Sequence, residues 1–277
     1  MTTAAQTTGI LAENYRILQE SVFTEVGIVI EEDKSYLFES RLAPVIKQLN
    51  LRSIDELCHT LVSPGNLHVR QMVGEAMTTN ETYFFRDPAH YEAIRKQLLP
   101  QLKELRSDRK KLSFWSAAAS TGQEAYSLAM MLLDEGFGDW DIQILGTDIS
   151  RKVVERARTG LYSQVEINRG LPATHLLKYF RRSGAGWQLS EAVCRMVRFE
   201  TTDLRNSMRT LGPFDLVFCR NVMIYFDQAT KLNIIQQLHG TLFRGGWLLL
   251  GGSESALFAD DWFERRNLGN ITYYLAR

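Results

Sequence analysis

The sequence predicts an α/β protein, an open α/β sheet preceded by a small all-α domain. Three observations predict it. Apolar residues recur at three- and four-residue steps through the first eighty or so positions. Beyond about residue 110, short apolar runs alternate with helical patterns, and small or polar residues come directly after several of those runs. The 277 residues, 45% hydrophobic and 23% charged, are enough to build one large core or two modest ones.

The first helix carries Tyr15, Leu18, Val22 and Val26 on one stripe. A second is expected from near Asp33, with Phe38, Leu42, Val45 and Leu49 facing inward and Pro44 kinking or breaking it, because proline lacks the N–H of a helix interior. Ser53 and Glu56 form a capping-box pattern ahead of "LCHTLV", and Asn66 is placed to cap "LHVRQMVGEAM". Asp87 then precedes Pro88 as an N-cap before a residue preset for the first helical turn. Tyr91, Ile94, Leu98 and Leu102 continue this helix toward "KELRSDRKK", as a link between domains 1–86 and 87–277. Strands come next at "LSFWSA", "IQILGTD", "MVRFETTD", "FDLVFCRN" and "WLLLGG", with a final pair in "DWFERRNLGNITYYLA". No internal repeat or low-complexity segment interrupts them.

The 32 basic and 32 acidic residues give no formal net charge, which argues against a nucleic-acid partner bound by phosphate neutralisation. Up to Arg86 there are 7 basic and 11 acidic residues, and 25 and 21 beyond it, so a local basic patch is still allowed. Cys58, Cys194 and Cys219 are odd in number and widely spaced, which suggests neither a disulfide framework nor a zinc site and fits a reducing cytoplasm. The opening "MTTAAQTTGI" lacks the charge and apolar block of a leader, and no apolar run is long enough for a bilayer. A soluble, cytoplasmic protein without membrane insertion is expected.

In an open α/β sheet, ligands collect at the carboxyl ends of the strands. Four such loops stand out. "SAAASTGQEAYS" combines small residues that allow close approach to the backbone with a helix start. It has neither spaced dinucleotide-binding glycines nor a Gly-Lys-Ser/Thr phosphate loop, and so suits a nucleoside without a pyrophosphate. Glu124, in the first turn of that helix, can pair with an ammonium group or simply complement the helix dipole. Asp148, 26 residues beyond Gly122, can accept from both hydroxyls of a ribose or cap the helix in "SRKVVERARTG". Asp203 in "TTDLRNS" can accept from an adenine amino group or act as a helix cap. Arg220 and Asn221 come directly after an apolar strand, which favours a site over a solvated turn.

The segments "TTNETYFFRD", "WSAAASTGQEAYSLA", "TDIS" and "PFDLVFCRNVMIYFD" resemble the chemotaxis receptor methyltransferases, the CheR family, in order and spacing from the helical start to the last strand. The resemblance implies a Rossmann-like S-adenosylmethionine-dependent methyltransferase domain with an all-α N-terminal domain and a small β-hairpin insertion. It also implies roles. Asn80, Thr82 and Arg86 would reach across the cofactor while Tyr83, Phe84 and Phe85 anchor their segment. Glu124 would hold the cofactor's amino group, Asp148 its ribose, Asp203 and Leu204 its adenine, and Arg220 with Asn221 the floor of the site. Tyr225 would lie beside the transferred methyl, and Arg86 near the cofactor carboxylate with a second role in substrate alignment.

The implied reaction moves a methyl group from S-adenosylmethionine to a glutamate on the cytoplasmic helices of a chemoreceptor, leaving S-adenosylhomocysteine and a methyl ester. A glutamate with an ordinary pKa of about 4.3 is already ionised near neutrality, so no His or Cys base is needed. A full cation on the substrate carboxylate would favour the ground state over a transition state in which the opposite charges vanish together, so positioning should dominate. Some relatives meet acidic receptor helices with a basic cluster on the second helix; here "ESRLAPVIKQLN" offers Arg41 and Lys47, with Lys34 upstream. "RRSGAGWQLSEAVCRM", where relatives dock a receptor's C-terminal pentapeptide, lacks a tandem glycine turn, and binding without that tether is expected. Two other readings stand beside this one: a methyltransferase for another acceptor, disfavoured for nucleic-acid bases by the absence of an Asn/Asp-Pro-Pro-aromatic signature, and a receptor-array protein that binds the cofactor without turnover.

Overall fold

The computed structural model describes residues 10–256 and 259–277. Residues 1–9, which cover nearly all of the segment read above for a leader, lie outside the described residues. Internal contacts divide the chain into two compact units. One reaches to Thr79 and also takes in Tyr225–Thr230; the other holds Asn80–Ile224 and Lys231–Arg277. The division therefore falls after Thr79 and not after Arg86. Asn80–Asp87 belongs with the sheet because Phe84 is fully buried in that unit's core and the Phe85 N–H donates to Ser127 Oγ at 2.9 Å.

The first unit is built from helices α1 (Ala12–Val26), α2 (Tyr36–Gln48), α3 (Ile54–Val62) and α4 (Leu67–Met77), with a 3-10 turn at Glu32–Lys34. The expected stripes are buried: Leu18, Val22 and Val26 on α1, Phe38, Leu42 and Val45 on α2. Pro44 sits inside a continuous α2, and Leu49 falls just past its end. Two expected caps work differently. Ser53 Oγ accepts from Glu56 N, but the Glu56 carboxylate reaches back to the N–H of Arg52. Asn66 makes no cap to α4; its Nδ2 donates to Thr60 O at 2.8 Å and closes the carboxyl end of α3 instead. Arg41 donates to Met77 O at 2.7 Å and to Thr79 Oγ1 at 3.0 Å, so this candidate receptor-facing cation is engaged at the end of α4, and Lys34 pairs with Glu31.

The second unit begins with α5 (Pro88–Ala93), a π turn at Ile94–Leu98 and α6 (Leu99–Leu105), which together fill the helix expected from the sequence. The widened turn ends just before Pro100, whose missing N–H already removes one helical bond. It does not merely link units: Tyr91, Ile94, Leu98, Leu99 and Leu102 are part of the core beside the sheet.

Then come β1 (Lys111–Ala117), α7 (Gln123–Asp134), β2 (Asp141–Asp148), α8 (Arg151–Thr159), β3 (Leu161–Ser163), α9 (Gln164–Asn168), α10 (Ala173–Tyr179), β4 (Phe180–Ser183), β5 (Gly186–Leu189), α11 (Glu191–Cys194) and β6 (Val197–Thr201). The chain closes with β7 (Phe214–Cys219), α12 (Gln228–Gly240), β8 (Leu242–Leu250), β9 (Phe263–Leu268) and β10 (Ile271–Ala276). The main sheet runs β6-β2-β1-β7-β8-β10-β9, parallel from β6 to β8 and antiparallel at β10 and β9. Every residue of β7 is buried, as a central parallel strand covered on both faces requires; the one charged member, Asp215, is held by Arg106 Nε and the Ser113 N–H, both at 2.9 Å. The expected hairpin insertion is larger than a hairpin. β3, β5 and β4 form a three-stranded antiparallel sheet with β5 in the middle.

Candidate active site

The strand order reverses between β1 and β7, and the carboxyl ends of these two strands mark the switch point at which open α/β sheets bind ligands. Beyond β1 the backbone turns through positive φ at Ala118 (59°), Ser120 (50°) and Gly122 (93°) before α7 begins. Small residues tolerate this path, and at Gly122 only glycine does: a Cβ there would lie 2.9 Å from Phe199 Cζ and 3.0 Å from Ala157 Cβ.

Glu124, in the first turn of α7, accepts from Ser116 Oγ at 2.7 Å and from Arg220 Nη1 at 3.0 Å. Arg220, 5% exposed, reaches across with Nη2 to Asp87 Oδ2 at 2.5 Å and to the Arg86 carbonyl at 3.0 Å. Asp87, expected as an N-cap, makes no cap bond; it adopts a left-handed φ of 59° and its carboxylate goes to Arg220. One cation between two carboxylates leaves a net negative charge. Burial alone would weaken Arg220's hold on its proton, but Glu124, Tyr91 and Asp87 reverse this and keep it raised. The same guanidinium acts on the buried His90, which is pushed down to about 4 by burial first and by Arg220 second, against the pull of Asp87.

Asp148, buried at the end of β2, accepts from the Ser120 N–H at 2.9 Å and the Ser150 N–H at 3.0 Å. It thereby joins the turn after β1 to the start of α8. Ser120 Oγ in turn donates to the Asn80 carbonyl at 2.8 Å, so the motif that begins at Asn80 is bonded to the same turn. The helix cap of α8 is Ser150 and not Asp148. Next to it, the Thr202 N–H donates to the Asp148 carbonyl, and Asp203 comes after with its carboxylate gripped by Nε and Nη2 of Arg205. Leu204 is buried.

Asn221 adopts a left-handed φ of 58°, and its Oδ1 is buried without a hydrogen-bond partner. The Arg86 guanidinium donates through Nη1 to the Glu81 carbonyl at 3.0 Å and lies 5.7 Å from the centre of the Tyr83 ring. Thr82 is half-buried in the same segment. Glu124, Asp148, Arg220, Asn221 and the carbonyls of Asn80 and Arg86 thus meet in the second unit around the ends of β1, β2 and β7, while the Arg86 guanidinium turns back onto its own segment. Tyr225 belongs to the first unit, where its carbonyl accepts from the Val29 N–H at 2.9 Å. Three residues that sequence reasoning does not single out as site members, Asp87, Ser116 and Ser120, take part in these networks. Asp87 stands in a recognisable motif, but its side chain also suits an N-cap, and that hides its ion pair.

The largely parallel sheet, the small-residue turn at its switch point and a carboxylate ending the next strand are the features of a nucleoside-binding α/β domain. The chain belongs to the CheR methyltransferase family. Residues 80–271 match its S-adenosylmethionine-binding domain and residues 13–74 its all-alpha domain. A chemotaxis protein methyltransferase of Vibrio parahaemolyticus is 36% identical over 258 residues, 91% of this chain and 92% of that one. Chemotaxis protein methyltransferase 1 of Pseudomonas aeruginosa is 39% identical over 251 residues, 88% of this chain and 89% of its own. The protein is an S-adenosylmethionine-dependent methyltransferase.

The residues present fit that cofactor. The net negative Asp87–Arg220–Glu124 group suits an ammonium and a sulfonium, and the orphaned Asn221 Oδ1 is a buried acceptor awaiting a donor. Among the described residues no helix is long and apolar enough to cross a membrane, and no cluster of His, Cys, Asp and Glu is arranged for a metal. All three cysteines are free.

Proposed function

We propose that this methyltransferase, working in the cytoplasm, acts on glutamate side chains of the cytoplasmic helices of chemoreceptors and leaves them as methyl esters. The observation that carries the reading is the Arg220 cluster: its excess of one negative charge complements a cationic methyl donor and leaves no free cation in the cluster to clamp an acceptor carboxylate. The names of the relatives, chemotaxis protein methyltransferases, support the choice of acceptor.

Bound S-adenosylmethionine supplies an electrophilic methyl on a positive sulfur. Glu124 would hold the ammonium and Asp148 the ribose hydroxyls, each carboxylate already oriented by neighbouring donors. Asp203 and Leu204 would meet the adenine, with Arg220 and Asn221 beneath. Asn80, Thr82 and Arg86 would contribute from the segment bonded to the Ser120 turn, Arg86 toward the cofactor carboxylate. The methyl would pass to a carboxylate oxygen of the acceptor with the sulfur leaving as the neutral thioether of S-adenosylhomocysteine, and none of these residues would need to move a proton. An acceptor glutamate is already ionised near neutrality, so the reaction needs no base from these residues.

Tyr225 is assigned to orient the acceptor oxygen on the strength of its place in "MIYFD". Encounter with the receptor is taken to proceed without a pentapeptide tether: the turn between β4 and β5 is Gly184–Ala185, not a tandem glycine. The test is incorporation of labelled methyl into receptor cytoplasmic fragments. Label released by alkali is expected, since carboxyl esters hydrolyse there, and alkali-stable label refutes the glutamate assignment. Arg86→Ala with normal cofactor affinity and turnover removes the Arg86 role, and an unimpaired Tyr225→Phe removes that of Tyr225.

A further inference from the structure

β7 and β8 are parallel neighbours whose ends coincide, Cys219 standing opposite Leu250. The chain leaves one through Arg220 and Asn221 and the other through Gly251. A single carboxylate joins the two exits. Glu254 Oε2 accepts from the N–H groups of Asn221 and Gly251, and Oε1 from that of Met223, all three at 2.7 Å. The Glu254 N–H donates to the Gly251 carbonyl at 2.9 Å, a tight turn that brings its side chain back over the strand ends. The fit leaves no slack: a Cβ on Gly251 would lie 2.5 Å from Glu254 Oε2 and 2.9 Å from Asn221 Nδ2.

A non-glycine residue held at positive φ needs its surroundings to over-determine it. For Asn221 that constraint comes from both sides of the peptide: its own N–H is fixed by Glu254, and so is the N–H two residues on. The constraint is also specific to a carboxylate. Three convergent N–H donors call for an acceptor with two oxygens and no donor, and an amide in its place would turn its NH2 against at least one of them. Nothing in the reaction itself requires Glu254, and no sequence motif gives it a role.

We propose that Glu254 is a positioning residue for cofactor binding, acting through Asn221 by fixing the backbone that aims the orphaned Oδ1 and the adjoining Arg220. This rests on the reading that Arg220 and Asn221 floor the cofactor site. The experiment is calorimetric titration of S-adenosylhomocysteine into the full chain, for wild type, Glu254→Gln, Asn221→Ala and the double variant, with KM for a receptor fragment measured alongside. Glu254→Gln and Asn221→Ala are each expected to weaken binding about 10-fold, the scale of one lost charge-assisted interaction, and the double variant to add less than about 2-fold more. The KM for the receptor fragment stays within about 2-fold, which general loosening of the fold would not predict.

Glu254→Gln binding within about 2-fold of wild type, with or without a lower melting temperature, overturns the proposal, as does full additivity in the double variant. Asn221→Ala without effect removes the site reading and the proposal with it. Should Glu254→Gln fail to fold, Glu254→Asp keeps the charge but draws the carboxylate back by one methylene from the N–H groups of Asn221 and Met223, and is expected to give the same loss, coupled to Asn221 in the same way.

Discussion

His90 lies buried in α5 against the Arg220 cluster, and its proton affinity should be measurable as a pH dependence of stability. In the unfolded chain its imidazole titrates near 6.5; in the fold burial and Arg220 push it down to about 4. Between those values the unfolded state binds more protons, so stability rises with pH. The contribution is whole above about pH 7.5 and is lost as pH falls toward 4; the full loss is ~3 kcal/mol, of which ~2 kcal/mol is gone by about pH 5. His90→Gln removes the titration and leaves the neighbouring carboxylates in place. Urea unfolding of wild type and variant, monitored by tryptophan fluorescence at pH values from about 8 to about 5, isolates the effect as a difference of slopes. Wild type should lose about 2 kcal/mol more than the variant over that range. Parallel curves would show that His90 is free to take its proton in the fold, and the burial argument would fail.

Arg220→Met leaves Glu124 and Asp87 facing each other without a cation and should cost about 3–5 kcal/mol in urea unfolding. Arg220→Lys should recover only part of this, since an ammonium cannot reproduce the fork that meets Glu124, Asp87 and the Arg86 carbonyl together. Gly122→Ala, with its Cβ against Phe199 and Ala157, should lower stability by about 1–3 kcal/mol and weaken cofactor binding, both readable by thermal shift with and without S-adenosylhomocysteine. Glu124→Gln keeps the hydrogen bond from Ser116 but removes the cluster's excess negative charge, and should weaken calorimetric cofactor binding about 10-fold or more. An unchanged affinity would assign Glu124 to Arg220 alone.

The helical stripes, the strands of the main sheet and the loops worth searching are legible because each is written locally, in the period of apolar residues and in the small or polar residues directly after each run. Val197–Thr201 and Phe214–Cys219 declare themselves as strands; Leu161–Ser163 does not, since three residues carry too little periodicity and their partner β5 lies more than twenty positions on. The caps fail for a related reason. Asp87 and Asn66 carry the right side chains for N-caps, and a local rule cannot see Arg220 or the Thr60 carbonyl competing for them. Arg41 on α2 likewise has the sequence setting of a solvent-facing cation, yet the end of α4 claims it.

By itself, the amino-acid sequence determined the fold class, the family and which loops to search, because periodicity, turn chemistry and long ordered motifs are properties of neighbouring residues. Only the tertiary structure decided how those side chains are spent. Arg220 meets Asp87 and Glu124, and Glu254 meets the N–H groups of Asn221 and Met223, across separations in the chain that no local pattern encodes, and buried charge and backbone must find their partners wherever the fold brings them.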